Sequence, residues 1–307
     1  MTTLQDLPSD TLQIIASFVV KPVYKLRSWL SIEQLHEHSL SKNENALDWI
    51  ENNMKTMKNI TKISWFELSQ NKNAIHLLEK NIHKVNWFVL SKNPNAIPIL
   101  EKYLHRVDWP MLSLNENAMH IIEKHPEKIC NAFLSKNRSA IPFLERHPER
   151  IDWYWLSANP NAIHLLERHP KRISWHMLSL NPNAIHLLEK HPEKIDWNAL
   201  CENPKGIPIL EKNMDKINWF TLSRNPGAVS LLEKNLDQIN WSMFALNTNP
   251  AVVSVFEKHQ EQLKYCSVYL SQHPSIFELD VKATHKKIVE YVAALLRRLT
   301  CKTPIVI

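Results

Sequence analysis

Histidine is the residue in this chain best suited to chemistry, with sixteen copies in 307 residues, and many of those copies recur in register. One column holds His76, His120, His164 and His186, and a second holds His125, His147, His169 and His191. Imidazole binds metal ions and titrates near neutrality, so two such columns raise zinc coordination or proton transfer. Their spacing argues against both. The two positions lie five residues apart within a repeat, about 140° around a helix of 3.6 residues per turn, whereas a zinc helix presents its ligands at i and i+4. Pro98, Pro142 and Pro208 interrupt the first column, and Asn81, Tyr103 and Asn213 the second. Structural roles in turns are the expectation. A serine column (Ser69, Ser91, Ser113, Ser135, Ser157, Ser179, Ser223) would offer nucleophiles, but Cys201 and Ala245 replace it, so small size is what the site requires. Catalysis needs one asymmetric set of nucleophile, base and orienting partner, whereas these residues recur as equals. No enzyme activity, catalytic residue, metal site or cofactor is expected.

Other chemistries are excluded by composition. Only two glycines occur, Gly206 and Gly227, and neither G-x-G-x-x-G nor G-x-x-x-x-G-K-[ST] is present, which removes the common phosphate-cradling loops. Cys130, Cys201, Cys266 and Cys301 form no C-x-x-C pair and read as reduced, unligated thiols. The start of the chain lacks the basic and apolar regions of a signal peptide, and no run is long enough to span a membrane. An intracellular, cytoplasmic protein is the expectation.

The elements that carry these columns follow from tryptophan. Trp65, Trp87, Trp109, Trp153, Trp175, Trp197, Trp219 and Trp241 share one 22-residue lattice, and Asn131 occupies its one vacant point. With the Trp as position 1, a repeat reads W-x-x-L-S-x-N-P-N-A-I-x-L-L-E-K-H-P-x-K-I-D. Position 22 is Ser64, Asn86, Asp108, Cys130, Asp152, Ser174, Asp196, Asn218 and Asn240; eight of the nine are preferred N-caps, so a first short helix starts at the Trp. Position 12 exchanges His with Pro98, Pro142 and Pro208, which places it in the first turn of a second helix, where proline is tolerated. The spacing predicts that helix over positions 10 to 17, capped by the Asn at position 9 and stopped by Pro126, Pro148, Pro170 and Pro192. A leucine-rich-repeat reading would need an apolar residue two positions after the position-7 Asn, where this chain has Asn161, Asn183, Lys205 or Gly227. Helices this short are marginal alone, so successive copies must stack. The fold class is all-α: an elongated α-solenoid of 22-residue two-helix repeats, about nine to eleven layers, with N- and C-terminal caps. Successive indoles are expected to form a continuous dry seam.

The formal charge of +6 is spread over all repeats and permits nucleic-acid contact without demanding it. Glu recurs at position 15 and Lys or Arg at position 20, predicting ion pairs between layers. The Glu column opposes an anion, so nucleic acid is disfavoured as a partner. Asn at position 7 is expected to satisfy main-chain groups between helices. Information for a protein partner must sit where repeats differ, at positions 2 and 3. The partner surface expected there is Phe66, Phe88, Met111, Phe133, Tyr154, Trp155, Met177, Phe220 and Met243, aromatic and Met residues being enriched at interfaces.

Four segments are expected: 1–40, an F-box-like or N-capping helical segment; 41–64, an atypical first repeat with an insertion; 65–279, tandem repeats of 22 to 24 residues; and 280–307, a capping helix and tail. The pattern Leu4-x-x-Leu7-Pro8-x-Asp10-x-Leu12-x-x-Ile15, followed by Phe18 and Val19, resembles the front half of an F-box, and Tyr24 to Leu30 loosely matches its later, helical half. The resemblance implies docking to a cullin-RING ubiquitin ligase adaptor through Leu7, Pro8, Leu12 and Ile15, with the repeats presenting a substrate. The repeats themselves resemble short Trp/Asn-Pro-Asn arrays encoded in multicopy families by large DNA viruses, which would put the protein in the host cytoplasm. A protein-interaction scaffold is therefore the expected function. The alternatives are a passive structural or virion protein and a nucleic-acid-binding solenoid.

Overall fold

The computed structural model describes residues 9–56 and 63–300. It divides into two compact units, Glu33–Pro274 and a smaller one formed by the two chain ends, Met1–Ile32 with Ser275–Ile307.

The larger unit is the repeat array, and one repeat shows why the sequence folds as it does. The first helix Trp87–Ser91 starts after Asn86, whose side chain accepts the Val89 amide. The same bond recurs from Ser64, Asp108, Asp152, Ser174, Asp196, Asn218 and Asn240, while Cys130 makes none. A 3-10 turn, Pro94–Ala96, leads into the second helix, Ile97–Lys102, with Pro98 in its first turn as the proline exchange requires. A second 3-10 turn, Leu104–Arg106, closes the repeat. The second helix thus begins one residue later than expected. Its lead-in turn is held by Asn93, whose Oδ1 accepts the Asn95 amide at 3.1 Å. Asn95 is not the cap, since the helix follows Ala96 with no side-chain cap bond; its Nδ2 donates to the Lys72 carbonyl of the preceding repeat at 3.0 Å.

Packing departs from the expected indole seam. Every lattice Trp is only partly buried. The column with no exposure at all is the leucine at position 4, Leu68, Leu90, Leu112, Leu134, Leu156, Leu178, Leu200 and Leu222, joined by alanines at position 10 such as Ala96 and Ala162. The indoles lie outside this spine and are covered by their own repeat. Lys84, Arg106, Lys128 and Lys194 sit 4.6 to 4.9 Å from the ring centres of Trp65, Trp87, Trp109 and Trp175. His125, His169 and His191 meet Trp109, Trp153 and Trp175 edge-on at about 5 Å. A cation over an indole face gains from the ring quadrupole and keeps its charge in water. The basic residues of position 20 therefore serve the Trp, not the Glu of position 15. That Glu instead meets the position-12 histidine of the next repeat, as in Glu101 with His120 at 2.9 Å and Glu145 with His164 at 2.8 Å.

Between repeats the buried asparagine of position 7 is the connector. Asn159 Nδ2 donates to the Ser135 and Asn137 carbonyls of the preceding repeat, both at 2.9 Å, and Oδ1 accepts its own repeat's Asn161 amide. The position-5 serine does more than stay small: Ser157 Oγ donates to the Trp153 carbonyl and accepts the Ser174 amide. Cys201 keeps half of this arrangement, its sulfur accepting the Asn218 amide at 3.4 Å.

The ladder continues through Asn43, Asn71, Asn93, Asn115, Asn137, Asn159, Asn181, Asn203, Asn225 and Asn247 to His273, and then returns to its start. Asn43 Nδ2 donates to the Ser271 and His273 carbonyls at 3.1 and 2.9 Å. Asn45 Nδ2 donates to the Pro274 carbonyl at 3.1 Å, and the His36 amide donates to Ser271 Oγ at 2.8 Å. The same bonds join repeats 1 and 2: Asn71 Nδ2 reaches Ser41 and Asn43 at 3.1 and 2.9 Å, Asn73 reaches Glu44 at 3.0 Å, and the Ser64 amide reaches Ser41 Oγ at 3.1 Å. The array is the all-α solenoid of two-helix repeats that the sequence predicts, and its eleven repeats join end to end into a ring. Neighbouring first helices, such as Trp65–Gln70 with Trp87–Ser91 and Asn131–Lys136 with Trp153–Leu156, pack more closely than neighbouring second helices. Each repeat is a wedge, and a full turn shared by eleven wedges needs about 33° per step.

Closure also sets the register at the end of the array. Ser267 takes the Trp position of repeat 11, since Ser271 Oγ donates to the Ser267 carbonyl and Leu270 fills the buried spine. The extra residues lengthen the helix Leu263–Leu270.

In the smaller unit, Tyr24–Leu26 pairs antiparallel with Phe277–Leu279. The helix Ser9–Val19 packs on Val281–Thr300, with Ala16 and Val292 at the contact. Among the described residues no helix is long and apolar enough to cross a membrane.

Candidate interaction surface

The concave side of the ring is identified by a cavity of about 350 Å³ whose walls come from repeats 10, 11, 1, 2 and 3. Side chains of five successive repeats converge only on the inside of a curved array. The lining residues are mainly those of positions 6 and 8, including Lys42, Glu44, Gln70, Lys72, Lys92, Thr248 and Gln272, with Val89 from position 3. Positions 3, 6 and 8 therefore form the inner wall. Lys136 of position 6, 5.3 Å from the ring centre of Trp155 at position 3 of the next repeat, shows the same adjacency farther round.

The wall has two chemically distinct arcs. Repeats 4 to 7 present Met111, Leu114, Phe133, Trp155 and Leu180, all partly exposed, beside Lys136, Arg138 and Glu116. Repeats 10 to 3 present the polar cavity. Three acidic groups on the wall are paired by the next repeat: Glu44 by Lys72 at 3.8 Å, Glu116 by Arg138 at 3.8 Å, and Glu202 by Arg224; Glu67, at position 3, instead accepts from Gln70 of its own repeat at 3.2 Å.

The residues expected to face a partner separate by position. Phe66, Phe88, Tyr154 and Phe220, all at position 2, are about half exposed. They lie at the N-terminal edge of the first-helix layer, where the neighbouring position-2 residue His176 meets the next N-cap, Asp196, at 2.7 Å. Met111, Phe133, Trp155 and Met243 are partly exposed. Met177 is buried and belongs to the core. Positions 6 and 8 were missed by sequence reading, since they hold ordinary surface residues and nothing local marks them as converging.

No family model, curated protein or solved structure matches this chain. Its features are accordingly read from its own geometry.

Of the expected adaptor-docking residues, Leu7 and Pro8 lie outside the described residues, while Leu12 and Ile15 fall within the helix Ser9–Val19. Ile14, Phe18 and Val19 of that helix are exposed, Phe18 to 85%. Tyr24–Leu26, which the F-box resemblance places in a helical half, is a strand.

Titration is perturbed at few places. Burial raises the Cys201 thiol and takes Cys266 to about 12, which leaves both protonated and poor nucleophiles at neutral pH. Burial lowers His273, with main-chain groups of Asn247 and Asn249 partly offsetting it. For Asp196 burial acts upward, but the Ala199 amide and His176 outweigh it and the carboxyl falls below its usual range.

Proposed function

We propose that this chain is a protein-binding ring whose concave wall receives a partner segment. The observation that carries this reading is the arc of Met111, Phe133 and Trp155, where large apolar side chains are left partly exposed beside the basic Lys136 and Arg138. Aromatic anchors flanked by basic residues are the composition of interaction hot spots. Repeated, equivalent positions suit binding along a surface and not catalysis. Unpaired cysteines at 130, 201 and 266 agree with a cytoplasmic setting. Capture with the wild-type chain and with Phe133→Ala/Trp155→Ala tests the reading. A specific partner should be lost from the double variant, and equal recovery by both forms refutes it. Nucleic acid as the ligand would instead give binding that collapses with salt.

A sharper form of the proposal makes the chain a substrate receptor of a cullin-RING ligase, its N-terminal segment docking the adaptor. Exposed Ile14, Phe18 and Val19 on the helix Ser9–Val19 support it. Purified adaptor should bind the wild-type chain and lose affinity for Phe18→Asp. Failure of the wild-type chain to bind removes this form and leaves the ring's role intact.

A further inference from the structure

The cavity at the ring's seam holds an unbalanced set of charges. Lys42, Lys72 and Lys92, from three successive repeats, line it with one carboxylate, Glu44, and a second, Glu67 at position 3 of the same wall, is held by the lining Gln70. Glu44 is paired with Lys72, and among the described residues neither Lys42 nor Lys92 has an ion-pair partner. Thr248 adds a neutral hydrogen-bond donor, and Gln272 another from the last repeat. The lysines outnumber the carboxylates, and a concave surface with a net charge focuses its field and concentrates counter-ions. At about 350 Å³, the space lies in the range occupied by small ligands.

We infer that this cavity binds a small soluble polyanion bearing several phosphate groups. One phosphate cannot satisfy ammonium groups carried on three repeats, whereas a chain or ring of phosphates can address each in turn. Fully ionised phosphates also match lysine, which acts as a mobile point charge and not as a planar fork. The cavity takes Thr248 and Gln272 from the end of the array and its lysines from the beginning. A ligand there therefore bridges the two ends and stabilises closure by mass action, in proportion to occupancy.

Isothermal titration of the full chain with tripolyphosphate and with inositol hexakisphosphate tests the inference, alongside thermal unfolding at each ligand concentration. Saturable binding of one equivalent should raise the melting temperature and weaken as salt increases. Lys42→Gln/Lys92→Gln should weaken binding at least tenfold, and Lys42→Arg/Lys92→Arg should retain it. Lys136→Gln, on the apolar arc, should leave it unchanged. Circular dichroism verifies that each variant folds; should the glutamine variant fail to fold, Lys92→Gln alone, at an exposed site, carries the comparison. Absence of binding by the wild-type chain overturns the inference, as does equal affinity of the glutamine variants. Binding only to single-stranded oligonucleotides, with no response to either small polyanion, also overturns it.

Discussion

At the scale of single residues, the position-7 asparagine contributes more than the tryptophan that advertises the repeat. Its amide serves two buried carbonyls of one repeat and its oxygen an amide of the next, so each copy is both a turn and a splice. Asn159→Ala should cost about 2 to 4 kcal/mol, since a buried polar group left without a partner costs about 1 to 3 kcal/mol. Asn159→Asp, equal in size, should be at least as damaging, because a carboxylate cannot donate to carbonyls. Denaturant midpoints check both, and an Asp variant as stable as wild type would contradict the ladder. Leu178 and Trp175 give a second comparison. Leu178→Ala should cost about 2 to 5 kcal/mol and Trp175→Ala less, because the leucine is wholly enclosed and the indole keeps part of its surface in water. The reverse order would restore the indoles to the spine.

At the scale of the element, Asn131–Lys136 is the exception that tests the rule. Its N-cap is Cys130, which accepts no amide, and Asn131 stands where other repeats place the indole. That repeat has repacked around Phe143, whose buried ring lies 4.5 Å from His147, with Arg146 at 5.8 Å. The aromatic partner of the histidine has moved to the second helix. Cys130→Asp should supply the missing cap and stabilise the chain by about 0.5 to 2 kcal/mol, read as a higher denaturant midpoint. No gain would mean that the Phe133 amide is already satisfied in another way.

At the scale of the whole repeat array, closure removes the free ends that make open solenoids fray. Amides of repeats 1 and 11 should therefore exchange about as slowly as those of repeat 6, and Asn43→Ala should release protection at the seam first. Faster exchange at the terminal repeats of the wild-type chain would argue for an open array. The seam is also where acid should act. Burial holds His273 below the ordinary 6.5, so between that value and its folded pKa the unfolded chain binds more protons than the folded one. Stability from this group is complete above about pH 6.5 and is lost as pH falls toward the folded value. His273→Asn, which restores the residue used elsewhere in the ladder, should flatten the decline between pH 7 and 5. An unchanged slope would place the acid sensitivity elsewhere.

What the amino-acid order determined by itself was local. The N-caps from Ser64 to Asn240 and the first-turn prolines Pro98, Pro142 and Pro208 each depend on groups within about four residues, and the 22-residue lattice follows from their recurrence. Three matters were decided only in three dimensions. Trp exposure depends on a cation 19 residues away; the inner wall depends on positions 6 and 8 converging from different repeats; and the register of repeat 11 depends on a partner 228 residues distant. Closure belongs with these. A small rotation per repeat leaves no mark in a period, and only its sum over eleven copies brings Asn43 to His273.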